Sequence, residues 1–208
     1  MAFLFPLFFG FCIAFLAVIL PGLINMTAAK ISLNEGKNQA LSFAFGASTI
    51  VFIQTFLAVL FARFISIHIE IVSFLQELGV IVFSGLSCYF FWMAKKPKKP
   101  KAEIKIKGKS NRFFFGILLS ILNFLPIPFY VFASMSLASS GYFQFEKIQI
   151  FSFVLGVVLG SFAVFYLYIA AFKQIEKETN FLMKNVNTII GSVTAFMAIF
   201  TLFKLLYK

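Results

Sequence analysis

Apolar residues fill this chain in six long runs, separated by short polar connections and one long charged one. The runs lie approximately at Phe3–Met26, Gln39–Phe61, Ile71–Met93, Phe113–Leu137, Ile148–Phe172 and Val186–Leu206. Each can cross a hydrocarbon core of about 30 Å, which takes roughly 20 apolar residues in a helix. In lipid every backbone N–H and C=O must find its partner inside the protein, so all six are predicted to be helices. The pattern predicts an all-α integral membrane protein with six transmembrane helices. The N-terminal run has no basic flank and is too long for a signal peptide, so it is read as a retained first helix.

The charged connection, AKKPKKPKAEIKIKGKSNR at residues 94–112, divides the chain into residues 1–93 and 113–208, three helices each. Three is odd, so the halves have opposite topologies; if they share a fold, they form an inverted repeat, a common plan for secondary transporters. The first helix reads FFGFCIAFLAVILPGLIN and the fourth FFFGILLSILNFLPIPFY. Each opens with Phe and Gly (Gly10, Gly116) and meets a proline further on (Pro21, Pro126). The second and fifth helices carry glycine near their first third, Gly46 in SFAFGAS and Gly156 and Gly160 in SFVLGVVLGS.

Proline inside a helix lacks an N–H and clashes with the carbonyl four residues back. Pro21 is therefore expected to free the carbonyl of Ala17, Pro126 that of Leu122 and Pro128 that of Phe124, and Gly22 weakens the first helix further. Freed carbonyls are tolerated at membrane depth only inside protein or against a wet cavity. Interrupted helices in matching places of two halves point to a transporter binding site. Asn25 follows Pro21 by four residues and Asn123 precedes Pro126 by three, each on the face of its proline. Two roles fit these amides equally: rejoining the broken backbone, and contacting a solute. Gln54 is a further candidate, because its amide must find a partner at depth. Thr27, Ser134 and Ser136 are read as packing residues, and Tyr130, Tyr166 and Tyr168 as interfacial.

Charge sets the orientation. The first, third and fifth connections hold 14 of the 18 Lys and Arg residues, and Arg63, Lys147, Lys204 and Lys208 are the other 4. The bias predicts those three connections in the cytoplasm and both termini outside, in the cell membrane. The net charge of +11 belongs to connections between apolar runs, so it fits an anionic lipid surface at the linker and argues against nucleic acid. A mean hydropathy of +0.98 and an apolar share of 61% agree with the bilayer reading.

The seven acids are all Glu. Glu77 is the one nearest a span interior and is the candidate for proton coupling; otherwise it is a solvated helix end. Cys12 and Cys88 lie within apolar runs and read as small hydrophobes, and His68 lies in a short connection. One His and no Asp leave too few ligands for a usual metal site, so no metal or other cofactor is expected. The same scarcity argues against a membrane-embedded enzyme. The small residues of the second and fifth helices allow close contact, within the chain or in a homodimer.

The run LPGLINMTAAKISLNEGKNQALSFAFGAS resembles the LysE/RhtB family of amino-acid exporters. The family's first helix ends in Pro-Gly-Pro. Pro21 and Gly22 match, with Leu23 at the second proline, and the match continues at Gly36, Lys37 and Gly46. The family's fourth helix carries Asn-Pro-Lys; here Asn123 is present, the prolines come later in NFLPIP, and the Lys is missing. Members often carry an acid in the second helix, where this chain has Ile50 and Val51. The resemblance implies proton-driven export of amino acids or related solutes from the cytoplasm by alternating access. The two predicted breaks and the amides near them place the candidate substrate contacts at Pro21, Gly22, Asn25, Gln54, Asn123, Pro126 and Pro128. The rival readings are a metal-cation exporter of the same superfamily and a non-transporting membrane scaffold.

Overall fold

A computed structural model describes residues 3–68, 77, 80–81, 84–93 and 111–206. The described residues contain helices and no strand. In chain order they form α1 (Leu4–Val18), α2 (Leu23–Glu35), α3 (Lys37–Ile67), α4 (residues 84–93, π-helical at Tyr89–Met93), α5 (Arg112–Ile121), α6 (Pro126–Ser139) and α7 (Lys147–Leu206). α7 is two helices merged across a kink at Ala171, where the backbone turns to φ −122° and ψ 18°.

Two helices, Lys37–Ile67 and Lys147–Ala171, are each long and apolar enough to cross a membrane. Two more spans arise if each bent pair counts as one: α1 with α2, bent by 76°, and α5 with α6, bent by 68°. The predicted first and fourth helices are thus each two helices. The sixth predicted segment is helical within α7 as far as Leu206. Most of the third, and the basic linker up to residue 110, lie outside the described residues. Arg112, assigned to the linker from sequence, is instead the first residue of α5. Asn111 caps that helix, its Oδ1 accepting from the Phe113 N–H at 3.1 Å, and this local bond sets the boundary.

Contacts group the chain into two compact units. The first, Met1–Phe64 with Lys105–Glu176, draws on both predicted halves and is organised by glycine. A Cβ on Gly46 would strike the carbonyl oxygen of Phe113, and one on Gly116 that of Phe43. The same relation links Gly156 with the Leu7 carbonyl and Gly10 with that of Phe153. In both pairs the obstructing carbonyl lies three residues before the partner glycine. Helix α5 therefore lies against α3, and α1 against α7, closely enough that backbone touches backbone. Gly36, the single residue joining α2 to α3, has φ +93°, a conformation that glycine adopts without strain.

Two apolar clusters complete this unit. One joins α1, α3, α6 and α7 through Ala14, Val51, Ala58, Tyr130, Phe153 and Val157. Phe143, from the loop after α6, enters it and meets Phe153 ring to ring at 5.5 Å. The other joins α2, α3, α5 and α7 through Ile24, Ala28, Phe43, Ala47, Leu119 and Phe165. The long helices α3 and α7 run through both clusters, whereas each bent pair gives one helix to each. In the second unit, Ser87 donates to the Gly191 carbonyl at 3.2 Å, and the Phe91 ring covers Gly191.

Replacing Gly46 by Ala should lower the stability of the purified protein by about 1–3 kcal/mol through overpacking. Gly85→Ala, where nothing lies within 4 Å of the added carbon, should cost nothing and gain helix propensity. Thermal melts in detergent check this; equal melting temperatures for the two variants would contradict the close packing of α3 on α5.

Candidate functional site

Both bent pairs break where helix ends release carbonyls, and at each break side chains donate to some of them. At the first break, residues 19–22, Gly22 is extended (φ −118°, ψ 174°) and α2 begins at Leu23. The Asn25 Nδ2 reaches back to donate to the Val18 carbonyl at 2.6 Å and the Leu20 carbonyl at 3.0 Å. Between them the Ile19 carbonyl accepts from the Tyr168 hydroxyl of α7 at 2.9 Å. Three consecutive carbonyls are thereby satisfied.

At the second break, residues 122–125, the Gln54 Nε2 of α3 donates to the Ser120 carbonyl at 3.1 Å and the Asn123 carbonyl at 2.9 Å. Here the sequence expectation needs correction. Pro126 does not kink a continuous helix; it occupies the first turn of α6, where its missing N–H costs nothing. The carbonyls held by Gln54 are accordingly those of Ser120 and Asn123, not those of Leu122 and Phe124 that the prolines were expected to free. The Phe124 carbonyl accepts from the Ile127 N–H at 3.2 Å. Leaving a buried polar group unpaired costs about 1–3 kcal/mol, and more in hydrocarbon, so these side-chain bonds allow the breaks to exist at depth.

The two breaks are built alike. Each broken helix lies against one long helix through the glycines described above, and further along the same long helix a donor reaches the break. From Gly46 to Gln54 on α3 the contacts advance from Phe113 to Ser120 on α5. From Gly160 to Tyr168 on α7 they advance from Phe11 to Ile19 on α1. Contacts that advance together mean that the paired helices run parallel. All these donors are uncharged. Buried hydroxyls of Ser48, Thr55 and Ser120 have no hydrogen-bond partner among the described residues, and Ser161 lies buried against the Tyr130 hydroxyl. Ser48 falls between Ala47 of one apolar cluster and Val51 of the other. Polar capacity is thus spread through the apolar interior on α3 and α5.

Asn25 and Gln54 are 3% and 6% exposed, so their amides are structural members of the breaks. Asn123 is half-buried and bonded through its backbone; Pro21 and Pro126 are half-buried, and Gly22 and Pro128 exposed. The structure joins Gln54 to Asn123 and Asn25 to the Pro21 break. Glu77 is exposed and belongs to the second unit. Thr27 and Ser134 bond to carbonyls of their own helices, as packing residues do. No group of three or more His, Cys, Asp or Glu side chains that could hold a metal ion occurs among the described residues.

Sequence reasoning passed over three features. Tyr168 was read as interfacial but is buried and caps the first break; its spacing from Gly160, equal to that of Gln54 from Gly46, was the available signal. Ser32 donates to the Ile169 carbonyl at 2.9 Å, beside the α7 kink, tying α2 to α7. Glu35, the last residue of α2, holds Arg112, the first of α5, through two bonds of 2.6 and 2.7 Å. The Arg112 side chain is only 5% exposed. No local pattern pairs residues from the first and third connections, so this ion pair was illegible.

Gln54→Leu should leave two break carbonyls without their donor and destabilise the protein by roughly 2–4 kcal/mol, at about 1–2 kcal/mol for each lost bond. Tyr168→Phe, which removes one donor, should cost about half as much. Thermal melts of the purified variants measure both, and an unchanged Gln54→Leu melt would remove the capping role.

No curated protein and no solved structure matches the chain. The family model for the LysE type translocator matches residues 14–205, which include both breaks, their three side-chain donors and the ion pair. This chain belongs to the LysE type translocator family, whose members are membrane exporters rather than enzymes.

Proposed function

We propose that the chain exports amino acids or related small zwitterionic solutes from the cytoplasm by alternating access, with its two broken helices forming the binding site. One observation carries the reading: two broken helices, each capped by an uncharged donor from the long helix beside it. Discontinuous helices in matched positions are the usual setting for solute sites in transporters built from repeats.

The parallel pairing supports an inverted repeat. If α3 and α5 run parallel, the chain crosses the membrane an odd number of times between them. The single apolar run between them supplies that crossing, which gives six spans in two three-helix halves of opposite topology. The repeated glycine geometry supports equating α1 with α5 and α3 with the first part of α7.

The chemistry suits a zwitterion. α2 opens with N–H groups at Leu23, Ile24 and Asn25, whose helix dipole favours a carboxylate. α6 has prolines at 126 and 128 and so offers fewer donors, which makes the α2 end the stronger carboxylate site. The buried hydroxyls and the remaining acceptor capacity of the amides suit an ammonium group. Rocking of the halves about the breaks would expose the site to either side, and Glu77 is the candidate for a coupling proton. In this reading the basic linker rests on anionic headgroups of the cell membrane, and both termini lie outside.

Efflux tests the proposal. Cells expressing the protein, loaded with mixed dipeptides, should release one or a few amino acids. Release should be lost in an Asn25→Ala, Asn123→Ala double variant present at equal level. No difference from empty cells across the panel would overturn amino-acid export and turn attention to metal tolerance, then to a scaffold role.

A further inference from the structure

The ion pair between Glu35 and Arg112 is placed against electrostatic preference on both sides. Glu35 ends α2, and a helix C-terminus carries partial negative charge that disfavours a carboxylate. Arg112 begins α5, whose N-terminus is partly positive and disfavours a cation. Each charge is held where it is by the other. The geometry is nonetheless tight: the Arg112 Nε donates to one Glu35 oxygen at 2.6 Å and its Nη2 to the other at 2.7 Å. The Arg112 Nη1 is buried without a partner among the described residues.

The pair also spans a hinge. α2 joins α1 through the four non-helical residues 19–22 at a 76° bend, and its far end is tied by Ser32 to α7 and by Glu35 to α5. A swing of α2 about that hinge must part Glu35 from Arg112. α2 comes from the first half of the sequence and α5 from the second.

We infer that the Glu35–Arg112 pair is a latch that holds α2 against α5 in the closed conformation, and that its orientation against both helix dipoles weakens it enough to release. The inference rests on the transport reading for its purpose. A buried pair loses more by having one partner removed than it gains by existing, so single substitutions open the latch. Exchanging the two charges strengthens it, because each then stands at the helix end that favours it.

The test reads conformation without flux. In a background with Cys12→Ser and Cys88→Ser, the buried Ser48 is replaced by Cys and its labelling by a small maleimide is timed in membrane vesicles. Glu35→Gln and Arg112→Gln should each raise the labelling rate by roughly tenfold or more, in proportion to the lost closed-state population. The exchanged pair, Glu35→Arg with Arg112→Glu, should label more slowly than the unaltered pair, by about tenfold for two helix-end terms. Unchanged labelling in the single variants, or an exchanged pair that labels as fast as they do, overturns the latch. If the single variants fail to fold, a Glu35→Cys, Arg112→Cys variant decides. Its own pair is bridged by a short bis-maleimide before labelling is timed at a third, slower-reacting Cys at position 48. Bridging should slow that labelling, and no slowing overturns the proposal. A protein that moves no amino acid yet follows this labelling order would defeat the substrate assignment and leave the latch standing.

Discussion

A carbonyl released from a helix inside an apolar layer must be given a donor, and most of this protein's interior follows from that need. Val18, Ile19 and Leu20 at one break, and Ser120 and Asn123 at the other, receive protons from Asn25, Tyr168 and Gln54. Two of the three donors come from a neighbouring long helix. That helix must therefore lie close enough for a side chain of ordinary length to reach, which places glycine at the contacts. Gly46 and Gly116, and Gly10 with Gly156 and Gly160, are the geometric condition for Gln54 and Tyr168 to do their capping.

The donors are neutral, and this choice has consequences. A charged cap would carry a desolvation cost of several kcal/mol at depth and would fix the break rigidly. Amide and phenol caps satisfy the backbone at net gains of about 1 kcal/mol per bond, small enough to be exchanged during a rearrangement. A charged pair stands instead at the end of α2, where Glu35 meets Arg112. The described interior thus combines neutral polar bonds at the breaks with a charged pair at the far end of α2.

The helices and their breaks were legible because apolar run length, proline and glycine are local signals. Pro21 with Gly22 marked the first break, and the Asn-Phe-Leu-Pro segment marked the second to within a turn. Asn25 was legible as a repair of the backbone because it shares a face with its proline. At the second break the carbonyls that Gln54 holds, Ser120 and Asn123, are not ones the prolines point to, since a proline at a helix start and one at a helix middle look the same in a sequence. Tyr168 and the Glu35–Arg112 pair depend on contacts between residues 149 and 77 positions apart, which no periodicity encodes. Family membership, carried here by residues 14–205, covers these pairs without naming them.

The most direct measurement is counterflow with purified protein in liposomes, loaded inside with an unlabelled amino-acid mixture and offered each labelled amino acid outside. The account predicts transient accumulation of one or a few labels. Gln54→Leu should abolish it even at temperatures where that variant is folded, while Phe143→Ala, destabilised to a comparable degree by a cavity away from the breaks, should retain it when folded. Accumulation of no amino acid by folded protein, or equal loss in both variants, would contradict the claim that the capped breaks form the transport site.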